Sequence, residues 1–361
     1  MFGPIHYVPM LKSKRGEFAA LSYVAPECRE LMTPLIDLTP LSGKMTPLAY
    51  AREKIRLMAE CWGDVAFLDG LLVQPSAMMP AGATVLSAIS HGLAHRGVGV
   101  IPVCGLRRSV AYMNDVRDAV RLHGRGLCIR LEDEDFGSPT LQAQIEAVLA
   151  YVGGVTPADV DVILDFRAIQ DSAARATALA AAGVIAGLPH LADWRTLTFA
   201  ATAFPFDLSP FGRAPFTARV MRAEWAAWDR LAGMPIARVP SFGDCGISHS
   251  DFREFDGPVT IPLAVRYTTA GYFLVRKEGS ARRLPATAPR DLARWLEAHP
   301  DFYGRGFSWG DGEIGRLADG TATNKGGAET WRKVGTSHHL RLVCELLSQM
   351  RAASNAPAPA P

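Results

Sequence analysis

Eight short apolar runs, the first seven each followed by a longer stretch with helical spacing, leave this chain few architectures. The runs cover residues 6–11, 34–38, 65–72, 99–103, 126–131, 160–166, 196–203 and 237–242. They are largely apolar rather than alternating, the pattern of parallel strands covered by helices. Helical spacing runs over 17–32, 46–62, 83–96, 109–123, 140–152, 172–186 and 216–231. Ser109 stands at an N-cap position, and Thr140 follows Ser138-Pro139 with Gln144 a turn later. Gly97, Gly124, Gly183 and Gly233 fall near helix ends, where a left-handed C-cap favours glycine. Strand and helix repeated about eight times, about 30 residues per unit, predict an α/β fold of the TIM-type (β/α)8 barrel kind. A doubly wound open sheet shares the alternation. Closure is favoured because the number of units is right and no nucleotide-binding glycine fingerprint follows the first strand.

Beyond residue 250 the rhythm breaks. Residues 259–277 read as a β-hairpin, with Leu263-Ala-Val-Arg-Tyr267 turning through Thr-Thr-Ala-Gly into Tyr272-Phe-Leu-Val275. Helical patterns follow at 290–298 and 330–350, joined by a glycine-rich stretch, 304–327. The expectation is one domain over 1–350, with a barrel core over about 5–250 and a hairpin and helices over 255–350 that cap or flank its mouth. The Ala/Pro-rich tail, 351–361, is expected to be disordered.

Composition narrows the function classes. With 361 residues, 48% hydrophobic and 20% charged, the chain can bury a large core without disulfides or metals. Its 38 Lys and Arg nearly balance 36 Asp and Glu, so nucleic acid is not indicated as a partner. Cys28, Cys61, Cys104, Cys128, Cys245 and Cys344 are scattered, with no CxxC pair, which predicts free thiols and a cytoplasmic location. No apolar run approaches the ~20 residues of a membrane span, and residues 1–15 lack a signal-peptide core.

The informative charges lie at strand ends. Lys12 and Lys14 follow the first run, Asp37 lies in the second and Asp69 in the third, and Arg107 follows the fourth. Arg130 and Glu132 close the fifth, Asp165 and Arg167 close the sixth, and Asp244 follows the eighth. Residues two apart in a strand share a face, so parallel strands would deliver these side chains to one rim. In barrels of this kind the rim at the strands' C-terminal ends carries the chemistry. Two readings compete: a ligand pocket, or an ion-paired plug that fixes register. A plug leaves every charge matched, whereas a pocket leaves an unpaired Lys or Arg facing a cavity.

Weaker signals come later. His338 and His339 lie in the first half of the last helical pattern, as a base or phosphate ligand on one reading and as capping or packing histidines on the other. No HExxH or P-loop pattern occurs, and neither a metal nor another cofactor is expected.

The opening Tyr7-Val-Pro-Met-Leu-Lys-Ser-Lys-Arg-Gly-Glu-Phe-Ala-Ala-Leu21, followed by Thr33-Pro-Leu-Ile-Asp37, resembles the start of the Beta protein family. The resemblance extends through Ile101-Pro-Val-Cys-Gly-Leu106, Arg130-Leu131, Leu164-Asp165-Phe166, Phe242-Gly-Asp244, Trp331-Arg332 and His338-His339-Leu340. Cys245 stands where the usual form has an aromatic residue. The family is named for a protein of a satellite bacteriophage. The resemblance implies a role in phage-related conflict, as an accessory protein that counteracts a neighbouring growth inhibitor. It brings no catalytic residues.

Two functional classes stay open. In one, a small anionic or phosphorylated ligand is held by Lys12, Lys14, Arg130 and Arg167, with Asp69, Arg107 and Asp244 around the pocket. There Asp37, Glu132 or Asp165 would act as general acid or base, assisted by His338 or His339. In the other, the barrel is the scaffold of an immunity or antitoxin-like protein that binds a protein partner encoded nearby.

Overall fold

A computed structural model of the chain describes residues 2–43, 45–74, 76–252 and 262–354. In chain order the elements begin β1 (Tyr7–Lys12), α1 (Arg15–Leu21), α2 (Pro26–Arg29), β2 (Leu35–Asp37), α3 (Pro47–Cys61), β3 (Ala66–Asp69) and α4 (Val85–Ala94). They continue β4 (Val100–Cys104), α5 (Val110–His123), β5 (Leu127–Glu132), α6 (Leu141–Val152), β6 (Val160–Ala168), α7 (Ala174–Ala186) and β7 (Thr196–Thr202). Then come β8 (Phe216–Met221), α8 (Ala223–Ala232), β9 (Ser241–Asp244), β10 (Pro262–Thr268), β11 (Tyr272–Ser280), α9 (Ala288–Glu297), α10 (Trp309–Asp319) and α11 (Ala328–Ser354).

The sheet closes. Parallel strands run β1-β2-β3-β4-β5-β6-β7-β9, and β9 pairs with both β7 and β1, so the open-sheet alternative falls away. Strand parity divides the side chains. Val8, Met10, Leu35, Phe67, Val103, Cys128 and Ile163 fill the barrel interior, while Tyr7, Leu11, Ile36, Leu68, Ile129 and Leu164 pack outward under the helices. Residues two beyond the interior set, namely Lys12, Asp37, Asp69, Arg130 and Asp165, therefore end up inside the mouth. The register sets Lys12, Asp37 and Asp69 side by side on three successive strands.

Several boundaries differ from expectation for identifiable reasons. The span 17–32 is not one helix, because Pro26 starts α2 and holds Ala25 extended (ψ 148°). Residues 216–221 form β8 rather than the start of a helix, and β8 joins an antiparallel sheet with β11 and β10. Its burial alternates, a period-two signal that a short segment hides until its distant partner is known. The last barrel strand falls at Ser241–Asp244, a few residues later than predicted. The glycine-rich 304–327 stretch contains α10, capped by Ser308, whose hydroxyl accepts from the Asp311 amide, and closed by left-handed Gly320. Gly124 is the expected left-handed C-cap of α5, but Gly183 lies inside α7 and Gly233 is right-handed. The hairpin forms as expected over its described part; 259–261, and 355–361 of the tail, lie outside the described residues, and α11 runs on to Ser354. All six cysteines are free.

The hairpin, α9 and α10 share a core of their own, which includes Tyr267, Leu274, Leu292, Leu296 and Ile314. The long helix α11 joins this layer to the barrel. Its Trp331 and Val334 belong to the C-terminal core, and its Leu340, Val343 and Leu347 to the barrel core. Among the described residues no helix is long and apolar enough to cross a membrane.

Candidate ligand pocket at the barrel mouth

A cavity of about 360 Å³ opens at the C-terminal ends of the barrel strands. Its floor is an ion network centred on Arg130, which is 3% exposed. The Arg130 guanidinium donates to Asp165 Oδ2 from Nε (2.9 Å) and Nη2 (2.6 Å), and from Nη1 to Asp37 and Asp69 (3.0 Å each). Lys12 Nζ donates to Asp37 Oδ2 and to the Ser250 carbonyl, both at 2.7 Å. Arg108 Nη2 reaches Asp69 at 3.3 Å. Three aspartates would draw a cation to this spot, and Arg130 is that cation.

The electrostatics follow. Burial pushes the Asp37 carboxyl up, but the Lys12 ammonium and Arg130 guanidinium outweigh it and hold the group down at about 2. Both Asp37 oxygens are engaged, as are both of Asp165, whose Oδ1 accepts the Arg167 amide at 2.8 Å. These charge-assisted contacts tie both carboxylates to the cations of the floor, so as general bases both are poorly placed. Arg167 sits at φ 56°, the left-handed region, just past the bend of β6. Its guanidinium bridges Glu132 (2.9 Å) and Asp251 (2.6 Å) across the rim.

The floor thus behaves as a matched plug, and the mismatch lies beside it. A side pocket of about 160 Å³ shares Lys12, His249 and Phe252 with the main cavity and adds Lys14, Arg266 and Arg332. Among the described residues Lys14 Nζ makes no ion pair or hydrogen bond; it lies over the Phe252 ring, 4.9 Å from the centroid. Arg266 donates only to the Ile247 carbonyl (2.9 Å) and stacks on Phe204, with no carboxylate partner among the described residues. Arg332 holds Ser248 Oγ (2.7 Å) and reaches Glu17 only at 4.0 Å. Partial desolvation lowers the Lys14 ammonium below its ordinary range; Glu17 opposes this, and Arg332, Lys12 and Arg266 add to it. Burial, then Arg332, likewise pull Arg266 down. Arginine does not give up its proton in proteins, and Asp251, which also lines this pocket, is engaged by Arg167, so among the described residues the site is short of negative charge.

His249 stands between the two cavities. Its Nδ1 accepts the Asp251 amide at 3.0 Å, which leaves the ring proton on Nε2. Burial lowers its pKa, so the ring is neutral near neutral pH.

Three predicted site residues lie elsewhere. Asp244 points out of the barrel, one residue out of phase with inward-facing Cys245; there it accepts the Tyr7 hydroxyl (2.6 Å) and faces His339 Nε2 (3.0 Å). His338 is fully buried in the C-terminal layer between Asp311 Oδ2 and the Thr268 carbonyl, 2.8 Å from each. Arg107 pairs with Glu134 (2.8 Å) and Asp135 (2.9 Å) at a neighbouring recess, which Glu132 also lines. Sequence reasoning missed His249, Ser250, Arg266 and Arg332. Ser248-His-Ser-Asp251 directly after the last barrel strand could have signalled the first two, because loops that follow barrel strands form the mouth. Arg266 and Arg332 come from β10 and α11 and gave no local signal.

The model of the family described as Beta protein matches residues 7–345. The chain belongs to the Beta protein family. No curated protein matches this Beta-family chain. Among solved structures it is similar to triosephosphate isomerase from Bartonella henselae, with 12% identity over 66% of this chain and 91% of that one and a TM-score of 0.35. So slight a likeness carries no argument; the barrel of this Beta-family protein rests on its own strand pairings.

Proposed function

We propose that the mouth of this Beta-family barrel binds a small anionic ligand of the phosphate class, in the side pocket formed by Lys14, Arg266 and Arg332. The observation that carries this reading is the imbalance of charge. Lys12, Arg130 and Arg167 each have a carboxylate partner, whereas Lys14 and Arg266 have none among the described residues. An anion there would receive charge-assisted hydrogen bonds from Lys14 and the two guanidinium groups, and His249 Nε2–H is a further donor at the boundary. The remainder of the ligand would extend over the main cavity, above Lys12 and Asp69. In this reading Asp37 and Asp165 hold Arg130 and Lys12 in place rather than move protons. Glu132 positions Arg167.

Sulfate is the simplest test ligand, because its charge is constant through the working pH range. Titration calorimetry on the full chain should show binding that Lys14→Ala weakens about tenfold or more, since a hydrogen bond to a charged group contributes roughly 1.5–3 kcal/mol. The melting temperature should barely move. Affinity should be full below the lowered pKa of Lys14 and fall as pH rises through it, because the bound anion favours the ammonium. Equal affinity of the wild-type chain and Lys14→Ala would refute the reading. Phage-related conflict is the setting we propose for this binding, following the family resemblance. A protein partner that copurifies while sulfate binding is absent would favour the immunity-protein alternative instead.

A further inference from the structure

The ligand reading leaves a second cavity unexplained. It has a volume of about 270 Å³ and lies where the segment before α2, the start of α10 and the middle of α11 meet. Tyr23 and Trp309 stack at its wall, ring centroids 3.9 Å apart, under the Lys333 ammonium. Cys28 lines the same cavity. Arg341 Nη1 donates both to Cys28 Sγ (3.4 Å) and to the Glu27 carboxylate (2.7 Å). Behind it, Cys344 Sγ donates to the Cys28 carbonyl oxygen at 3.8 Å. A thiol in an apolar interior has no need of a guanidinium; a thiolate has.

We propose that Cys28 is an oxidant-sensitive modification site, in which the Arg341-paired sulfur reacts with a small hydroperoxide admitted by the cavity and Cys344 resolves the product as a disulfide. The contrast with the other cysteines supports this choice. Burial pushes Cys104 up to about 12 and raises Cys128 and Cys245, and the hydrogen bond to Cys28 raises Cys344. Cys28, unlike these four, is lowered, to about 7, by Cys344 and, against the opposing effect of burial, by Arg341. Its exposure is 3%, so only a reagent that fits the cavity reaches it.

The chemistry balances. The Cys28 thiolate attacks one peroxide oxygen and the O–O bond breaks. The sulfur is oxidised to sulfenic acid, and the other oxygen leaves as hydroxide or alkoxide and takes up a proton. Cys344 sulfur then attacks Cys28 sulfur, the S–O bond breaks, and the departing hydroxide carries away the Cys344 proton as water. Two thiols and one hydroperoxide give one disulfide, water, and a second water or alcohol. The disulfide would tie α2 to α11.

The test treats the full chain with hydrogen peroxide across a pH series, traps sulfenic acid with dimedone, and maps adducts and disulfides by mass spectrometry. Cys28 should react several-fold faster than the half-buried Cys61, with a midpoint near pH 7. Cys344→Ser should accumulate the Cys28 adduct and form no disulfide. Arg341→Gln should slow Cys28 several-fold at neutral pH and move its profile upward, toward an ordinary thiol. The wild-type profile needs no variant to fold. Reaction at Cys28 no faster than at Cys61, or a midpoint in the ordinary thiol range, overturns the proposal.

Discussion

At the scale of single residues, the floor and the side pocket make opposite demands. Removing a charge from the floor strands its partners in a buried site: Asp37→Asn leaves Lys12 and Arg130 short of a counter-charge, and Asp165→Asn removes the acceptor that Arg130 holds with two nitrogens. Either change should cost about 3–5 kcal/mol in urea-unfolding experiments, the penalty for breaking a buried ion pair from one side. A neutral result at both positions would mean that water screens the floor. The pH dependence has a definite sign. Asp37 is held at about 2, so its share of stability is present above the ordinary carboxylate range and is lost as pH falls through about 2. Asp37→Asn should therefore flatten the acid limb of the stability profile. Lys14→Ala, by contrast, removes a side chain with no carboxylate partner among the described residues and should leave stability nearly unchanged.

At the scale of elements, β8, α8, β9 and α11 enclose a second buried polar cluster. Arg222 Nε donates to Glu224 (3.1 Å), and Arg222 Nη2 lies 3.9 Å from Asp244, which also meets Tyr7 and His339. Burial pushes the Glu224 carboxyl up to about 7 against the opposing pull of Arg222, and Asp244 adds to the rise. A raised carboxyl favours the fold below the ordinary carboxylate range, and that benefit disappears as pH rises through about 7. Glu224→Gln should remove this loss, so its urea midpoint should change less than the wild type's between about pH 5 and pH 8. An identical change in both chains would place the titration elsewhere. Legibility in the sequence divides along the same lines. Lys12, Asp37, Asp69, Arg130 and Asp165 were readable as mouth residues, because each ends an apolar strand and strand parity sends alternate residues inward. Asp244 was misplaced, because following a strand does not fix a residue's face: Phe242 packs outward, Cys245 faces in, and Asp244 shares the outward parity of Phe242. Phe216–Met221 read as helix because its pairing with β11 spans some fifty residues of sequence, beyond any local pattern.

At the scale of the molecule, a barrel and a C-terminal layer share one helix. Because α11 supplies apolar side chains to both cores, calorimetry should show one cooperative transition, and two resolved transitions would mean that the layers fold separately. The same junction makes the side pocket: Lys14 follows β1, His249 follows β9, and Arg266 and Arg332 arrive with β10 and α11. The docking of one layer on another has no signature in a linear sequence, which is why half of the cationic cluster was invisible there. The most direct measurement is a crystal of the full chain soaked in selenate, with the anion located by its anomalous scattering. The account predicts selenate at the barrel mouth, within hydrogen-bonding distance of Lys14 Nζ and the Arg266 guanidinium. An empty side pocket, with selenate bound only elsewhere on the surface, would contradict it.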